Sequence, residues 1–431
     1  MTVQLPRLSW KYFVQSSALI LLINASSYSA EPSHISTETL TLGDVLDAAR
    51  HQNPEIKAAR SRWEAVKTRA AQEATPDKPR VDFERMYAPE GRNVISGAEE
   101  KNIAISQEIM FPTTLYFRSR AARQEAEKAF AEYQVKEREI QARTKSAYAM
   151  LFFSRHSIHI FEANVDLMRQ FAKVAESKYA VGKAPQSDVL KAQVELSKML
   201  NMLVTVHQEQ ETNQAMLNTL MNRPPETPIV LPEDPQVRII NRSLSELTSQ
   251  AAQQRPELRA AAADVERSRS LVQAARSEYL PDLMLQYRQR NMMAGPDSRD
   301  AMLGFSVPLW FWKQGAMVRE AAAEREMAQA EYQAMRNMTS FDVKNLLVKV
   351  QTAQRLVELY QTSVLPQAEQ ALKVTASAYQ SDRIGFLDLL DAARTLLDFR
   401  LEHYEHITQY EQFFAELERA VGADLKTEAT R

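Results

Sequence analysis

Apolar residues recur along this chain with two different periods, and each period predicts a different element. From Ile140 onward, Ile140, Ala147, Phe161, Met168 and Ala175 form a seven-residue series, and Leu151, Ile158, Val165, Ala172 and Tyr179 form its companion. Two interleaved seven-residue series are the seam of a coiled coil. No glycine or proline falls between Pro112 and Gly182, so the spacing predicts one helix about 105 Å long at about 1.5 Å per residue. A shorter seam of Leu346, Val350, Ala353, Val357, Tyr360 and Val364 predicts a second long helix, kinked at Pro366. Elsewhere the period is two. Ile103, Ile105, Ile109 and Phe111 alternate with Ala104, Ser106, Glu108 and Met110. Leu283, Leu285 and Tyr287 alternate with Met284, Gln286 and Arg288, and Leu303, Phe305, Val307 and Leu309 continue the pattern. These are strands with one apolar face. Pro89-Glu90-Gly91 and Gly295-Pro296-Asp297 read as the turns between strands.

The chain is written twice. Asn53-Pro54-Glu55-Ile56 returns as Arg255-Pro256-Glu257-Leu258, Pro79 as Pro281, and Ala131-Glu132-Tyr133-Gln134 as Ala330-Glu331-Tyr332-Gln333. Tyr179, Asp188, Leu190 and Ala192 return as Tyr379, Asp388, Leu390 and Ala392. Each half runs helix, strand pair, long helix, short turn and returning helix. The leading helices are expected over Leu42 to Ala74 and Leu244 to Tyr279. The organisation read from this is a secretory signal at 1–30, a first repeat at 31–225, a linker at 226–243, a second repeat at 244–422 and a tail at 423–431. The strand pairs fall in 80–111 and 281–309, and the hairpin tips near 182–187 and 382–387. Prolines at 224, 225, 228, 232 and 235 mark the linker.

Composition sharpens this picture. The 431 residues hold 9 glycines and no cysteine. Scarce glycine fits long unbroken helices, and the lack of cysteine excludes disulfides, thiolate metal sites and a lipid-anchored N-terminal cysteine. Arg7 and Lys11 precede an apolar stretch from Tyr12 to Ile23, with small residues between Ala25 and Ala30; this reads as an export signal, too short to span a bilayer about 30 Å thick. A formal net charge of -2 gives no reason to expect nucleic-acid binding.

Two strand pairs cannot close a barrel alone, and a membrane does not tolerate an open sheet edge. Three chains of four strands would supply twelve, within the usual barrel range. The fold class expected is therefore mainly α with a β-barrel part. Long antiparallel coiled-coil hairpins and four strands per chain would trimerise into a 12-stranded outer-membrane barrel over an α-helical periplasmic tunnel.

Over almost the whole mature chain the layout resembles the TolC-type outer-membrane efflux proteins. The resemblance rests on Asn53-Pro54-Glu55, on Leu303-Gly304-Phe305-Ser306-Val307-Pro308-Leu309 with Gln314-Gly315, and on Tyr379 with Phe386-Leu387-Asp388-Leu389-Leu390-Asp391-Ala392. In detail it is similar to the branch serving heavy-metal exporters of the resistance-nodulation-division class. The resemblance implies a passive exit duct working with a periplasmic adaptor and an inner-membrane pump of that class, embedded in outer-membrane lipid, as a homotrimer. It also implies residue roles. Gly182, Lys183, Ala184, Arg383, Ile384 and Gly385 at the tips would meet the adaptor. Asp188 and Tyr379 would latch the resting mouth, with Arg383 one residue displaced from the family's arginine and Ile384 in its place. Asp388 and Asp391 would line the constriction. The family often carries glycine just after the tip tyrosine; Gly182 fits, whereas Asp382 stands there in the second half. Two other readings fit part of the pattern: a duct for type I protein secretion, and a secreted coiled-coil scaffold, which leaves the matched strands unexplained.

Other chemistry is sparse. His156 with His159, and His403 with His406, have a helical spacing that could hold a metal, but the two pairs are expected at different heights in the tube. Met284, Met292, Met293 and Met302 could offer soft ligands, though gap-filling or lipid-facing roles are commoner. Trp310 and Trp312 suit either a membrane interface or the strand-to-helix joint. No catalytic triad, carboxylate pair or phosphate loop is set in a suitable context, so no enzyme, cofactor or metal centre is expected.

Overall fold

The computed structural model describes residues 40–86, 90–91, 93, 95, 100–230, 240, 242–292 and 295–425. The signal segment 1–30, Pro89, the linker prolines Pro232 and Pro235, and Met293 lie outside the described residues.

The expected leading helix of the first repeat is three pieces: α1 (Leu42–Gln52), α2 (Pro54–Lys67) and α3 (Arg69–Glu73). Thr41 starts α1 with a capping box to Asp44. The break follows from Pro54, which pushes the preceding residue out of the helical region. Asn53 sits there at ψ 126, and its side chain accepts the N–H groups of Glu55 and Ile56. Its amide also donates to the Leu220 carbonyl at 3.0 Å. A strand pair follows, β1 (Arg80–Met86) and β2 (Glu100–Ile109). Then come α4 (Pro112–Ala180), unbroken for 69 residues, and α5 (Gln186–Leu220) returning beside it.

The second repeat copies this plan with α6 (Leu244–Gln254), α7 (Pro256–Ser277), β3 (Asp282–Met292), β4 (Ser298–Ser306) and α8 (Phe311–Leu359). Its leading helix is likewise broken before a proline, at Arg255. The kink expected at Pro366 takes the form of a wide π-turn over Tyr360–Val364, whose end is marked by the Leu365 N–H reaching back to the Tyr360 carbonyl. Pro366 has no N–H to offer and its ring crowds the carbonyl four residues earlier, and a π-turn absorbs that misfit. Beyond it, α9 (Leu365–Gln380) and α10 (Phe386–Val421) form the second hairpin.

All four strands lie in one antiparallel sheet in the order β1-β2-β3-β4. Ile105 faces Tyr287 and Val81, and Leu285 faces Leu303. Three large apolar clusters and two small ones, around Val66 and Val272, pack the described helices together. One joins α1, the middle of α4 and the end of α5 around Val45, Ile140, Leu151 and Leu217. Its repeat partner joins α6, α8 and the end of α10 around Leu247, Val343, Val350 and Leu417. The third is shared by both hairpins near their tips. Gly422 closes α10 at φ 79, and a Cβ there would lie 2.7 Å from the Arg255 Cα, so only glycine fits between this end and the α6–α7 break.

Candidate functional site

Strand register sorts the side chains onto two faces, because successive residues point to opposite sides. Val81, Phe83, Ile103, Ile105, Ile109, Leu283, Leu285, Tyr287, Leu303 and Phe305 share one face. Phe83 is 75% and Phe305 63% exposed in the single chain. At the loop end of that face stand Arg85, Lys101 and Arg299. The other face carries Asp82, Glu84, Glu100, Asn102, Arg288, Arg290 and Asp300. On it Arg290 meets both Glu100 and Asp300, at 3.2 and 3.1 Å. Gln107 and Gln289 interrupt the apolar face, but a sheet that is mainly apolar on one side and carries most of its charges on the other is built for lipid outside and water inside. Met284, Met292 and Met302 lie on the polar face, which removes the lipid-facing role for them. Trp310 and Trp312 are well exposed, their rings 5.2 Å apart beside the sheet.

The far ends of the hairpins hold most of the tip residues singled out in the sequence. Gly182 turns the first tip at φ 72, with Lys183 exposed and Ala184 half-buried beside it. Asp382 turns the second at φ 62, followed by exposed Arg383, half-buried Ile384 and exposed Gly385. A non-glycine residue in this left-handed region costs about 1–2 kcal/mol, least for Asp and Asn. Asp388 accepts the Gly385 N–H at 3.2 Å and so caps α10. Asp391 is exposed one turn further on.

Tyr379 and its counterpart Tyr179 differ. Tyr179 is 48% exposed, whereas Tyr379 is 4% exposed, its ring against Phe386. Burial raises the Tyr379 phenol above its ordinary value, and the Asp188 and Asp382 carboxylates push the same way. Its hydroxyl has no hydrogen-bond partner among the described residues. The structure thus brings Asp188 near Tyr379 within one chain without a direct bond.

Two cross-hairpin ties were not anticipated. Lys178, near the end of α4, points its ammonium at the last carbonyls of α9: Tyr379 at 2.5 Å and Gln380 at 3.4 Å. It also binds the Asp382 carboxylate and lies 4.6 Å above the Tyr379 ring. Lys183 takes the other Asp382 oxygen at 3.0 Å. These two ammonium groups hold the Asp382 carboxyl below its ordinary value. Higher up, Arg394 of α10 grips buried Glu195 of α5, with Nε at 2.8 Å from one oxygen. The Arg394 bond keeps the Glu195 carboxyl ionised against its own burial. The signal that could have found both ties is the repeat itself. At the offset that pairs Tyr179 with Tyr379, Lys178 faces Ala378, Gly182 faces Asp382, Glu195 faces Thr395 and Arg394 faces Val194.

The histidine pairs need a correction. His156 stacks on Tyr404 at 4.4 Å, and Tyr404 touches His403, so the two pairs meet at one level. Residue counts along inclined helices do not mark height. Burial and His406 lower the His403 imidazole below its ordinary value, favouring the neutral ring. Beside them the Tyr360 hydroxyl donates to Glu402 at 2.6 Å and is pushed up to about 12. Among the described residues no group of histidine and carboxylate side chains is arranged to hold a metal ion.

A family model described as outer membrane efflux protein matches residues 45–223 and 247–423. The cobalt-zinc-cadmium resistance protein CzcC of Cupriavidus metallidurans is 24% identical over 290 residues, covering 66% of this chain and 68% of that protein. Among solved structures, CusC superposes with a TM-score of 0.78 at 15% identity, over 89% of this chain and 92% of that one. VceC of Vibrio cholerae superposes with a TM-score of 0.76 at 18% identity, over 89% and 96%. At these identities the solved structures speak for the fold.

Proposed function

The chain belongs to the outer membrane efflux protein family, and from that premise we propose that three copies assemble into the passive exit duct of a tripartite exporter of heavy-metal cations. The observation that carries the reading is the sheet. It has an exposed apolar face, a charged face and two edge strands, β1 and β4, that no strand among the described residues covers. Pooled with two other sheets it becomes a closed barrel in outer-membrane lipid, and the helices below it extend the duct across the periplasm. No bond is made or broken in the cargo; the chain supplies a wall. Cargo class is supported by the kinship with CzcC, whose name records cobalt, zinc and cadmium resistance.

The distal tips suit a periplasmic adaptor, itself docked on an inner-membrane resistance-nodulation-division pump. Gly182, Lys183, Ala184, Arg383, Ile384 and Gly385 form the two turns farthest along the hairpins from the sheet, and Val181 and Leu387 expose apolar surface beside them. Asp188 and Tyr379 are the latch of the resting mouth, with Arg383 beside them, and Asp388 and Asp391 its constriction. The test is growth of the host strain without this chain in cobalt, zinc and cadmium. Tolerance should fall and return with the wild-type chain, but not with Gly182→Trp or Gly385→Trp, although both variants reach the outer membrane. Unchanged tolerance in the strain lacking the chain would refute metal cargo, and full rescue by both variants would refute docking at the tips.

A further inference from the structure

Lys178 is placed where nothing in the duct architecture requires a charge. Its side chain is 13% exposed, yet it is surrounded by acceptors that all belong to the other hairpin. The Tyr379 and Gln380 carbonyls are among the last of α9 and carry the negative end of its dipole, and the Tyr379 carbonyl also accepts the Asp382 N–H at 3.2 Å. The Asp382 carboxylate completes the set, and the Tyr379 ring closes it from the side. Asp382 occupies a left-handed turn that glycine fills in the first repeat, at Gly182. A residue kept there against its backbone preference points to a duty for its side chain, and that side chain is held by Lys178 and Lys183 of the first hairpin. Both members of the tie occur where the two halves differ, Lys178 against Ala378 and Asp382 against Gly182.

We propose that Lys178 is the bolt of the resting mouth: its ammonium, gripping the α9 terminus and Asp382, holds the second hairpin against the first. The proposal rests on the reading of the tips as the mouth of a duct. Moving the second tip strips the ammonium, whose side chain is only 13% exposed, of two carbonyls, a carboxylate and an aromatic face together. The bolt is separate from the Asp188–Tyr379 pair, because it uses the tyrosine carbonyl and ring and leaves the hydroxyl unpartnered.

Purified trimers of the full mature chain in planar bilayers test this. Lys178→Met should raise the resting conductance severalfold. Lys178→Arg, which keeps charge, donors and stacking, should stay near wild type. Asp382→Gly removes the carboxylate with no backbone penalty and should raise conductance less, since the carbonyls remain. Combined with Lys178→Met it should add little, since only the exposed Lys183–Asp382 pair then remains to be lost. Raising the salt should open wild type beyond the gain in bulk conductivity and leave Lys178→Met scaling with bulk. Equal resting conductance of wild type and Lys178→Met, in trimers of equal mobility, overturns the bolt. So does a Lys178→Arg variant as open as Lys178→Met, which would mark a packing role. Wild-type trimers without any channel steps would defeat the duct reading itself. Asp188→Ala and Tyr379→Phe, measured beside them, report on the latch alone.

Discussion

Asp388 and Asp391 stand three residues apart at the start of α10, and their surroundings divide the work between them. Asp388 accepts the Gly385 N–H, so part of its presence is explained by capping, worth about 1 kcal/mol. Asp391 is exposed and stands outside the cap formed by Gly385 and Asp388, and the dipole effect fades within the first turn. In a trimer the pair would make two stacked rings of three carboxylates, favouring cations and binding a trivalent ion tightly. In single-channel recording with a trivalent cation on the periplasmic side, wild type should be blocked, less so at high salt. Asp391→Ala should lose most of the block, and the double variant with Asp388→Ala should lose block and cation preference together. A double variant that keeps both would leave these residues as helix caps. Residues of this kind were legible because each has a counterpart or a motif: Asp388 mirrors Asp188, and Tyr379 mirrors Tyr179. Lys178 and Glu195 were not legible. Their partners lie on other helices, and lateral packing decides such pairs where spacing along one helix does not. Only the departure from the repeat, Ala378 and Thr395 opposite them, hinted at a special duty.

Elements were the most legible level, since the periods of seven and of two each recur long enough to leave no competing choice. α4 begins at Pro112 and runs to the turn at Gly182, as the run without glycine or proline predicts. The misses were local. Asn53 and Arg255 break the leading helices because a proline follows each, and the apolar pattern continues across both breaks and conceals them. The π-turn before Pro366 likewise keeps the seam in register, so periodicity shows a kink site without its form. Phe111, read as the end of a strand, caps α4 instead. The strand alternation was read correctly as one apolar face as far as Ser306, while Val307 and Leu309 lie beyond the end of β4; its use emerges from the register, which sets Leu303 and Met302 on opposite sides of β4. Leu303→Lys should therefore cost about 2–4 kcal/mol near the bilayer midplane, while Met302→Lys on the water side costs little. The yield and heat resistance of trimers in outer membranes measure this. Equal losses, or the reverse order, would invert the assignment of faces.

At the scale of the molecule one chain is incomplete. Its sheet ends in β1 on one side and β4 on the other, so rows of backbone N–H and C=O groups have no partner strand among the described residues. The apolar face through Val81, Ile105, Tyr287 and Phe305 is exposed as well. The open edges cannot persist in lipid unless β1 of one copy pairs with β4 of the next, and the apolar face cannot be left in water. The pooling of chains was legible in the sequence because the strand count of one chain cannot close a barrel, and the internal repeat makes a three-fold assembly nearly six-fold around the duct. Which copy touches which side chain was not legible, since that depends on tilt and stagger that no residue pattern records. The closed assembly is what the open sheet edges require. Native mass measurement of the mature chain, extracted from outer membranes in mild detergent, tests it most directly. Three copies in one particle are predicted; a folded, stable single chain would contradict it.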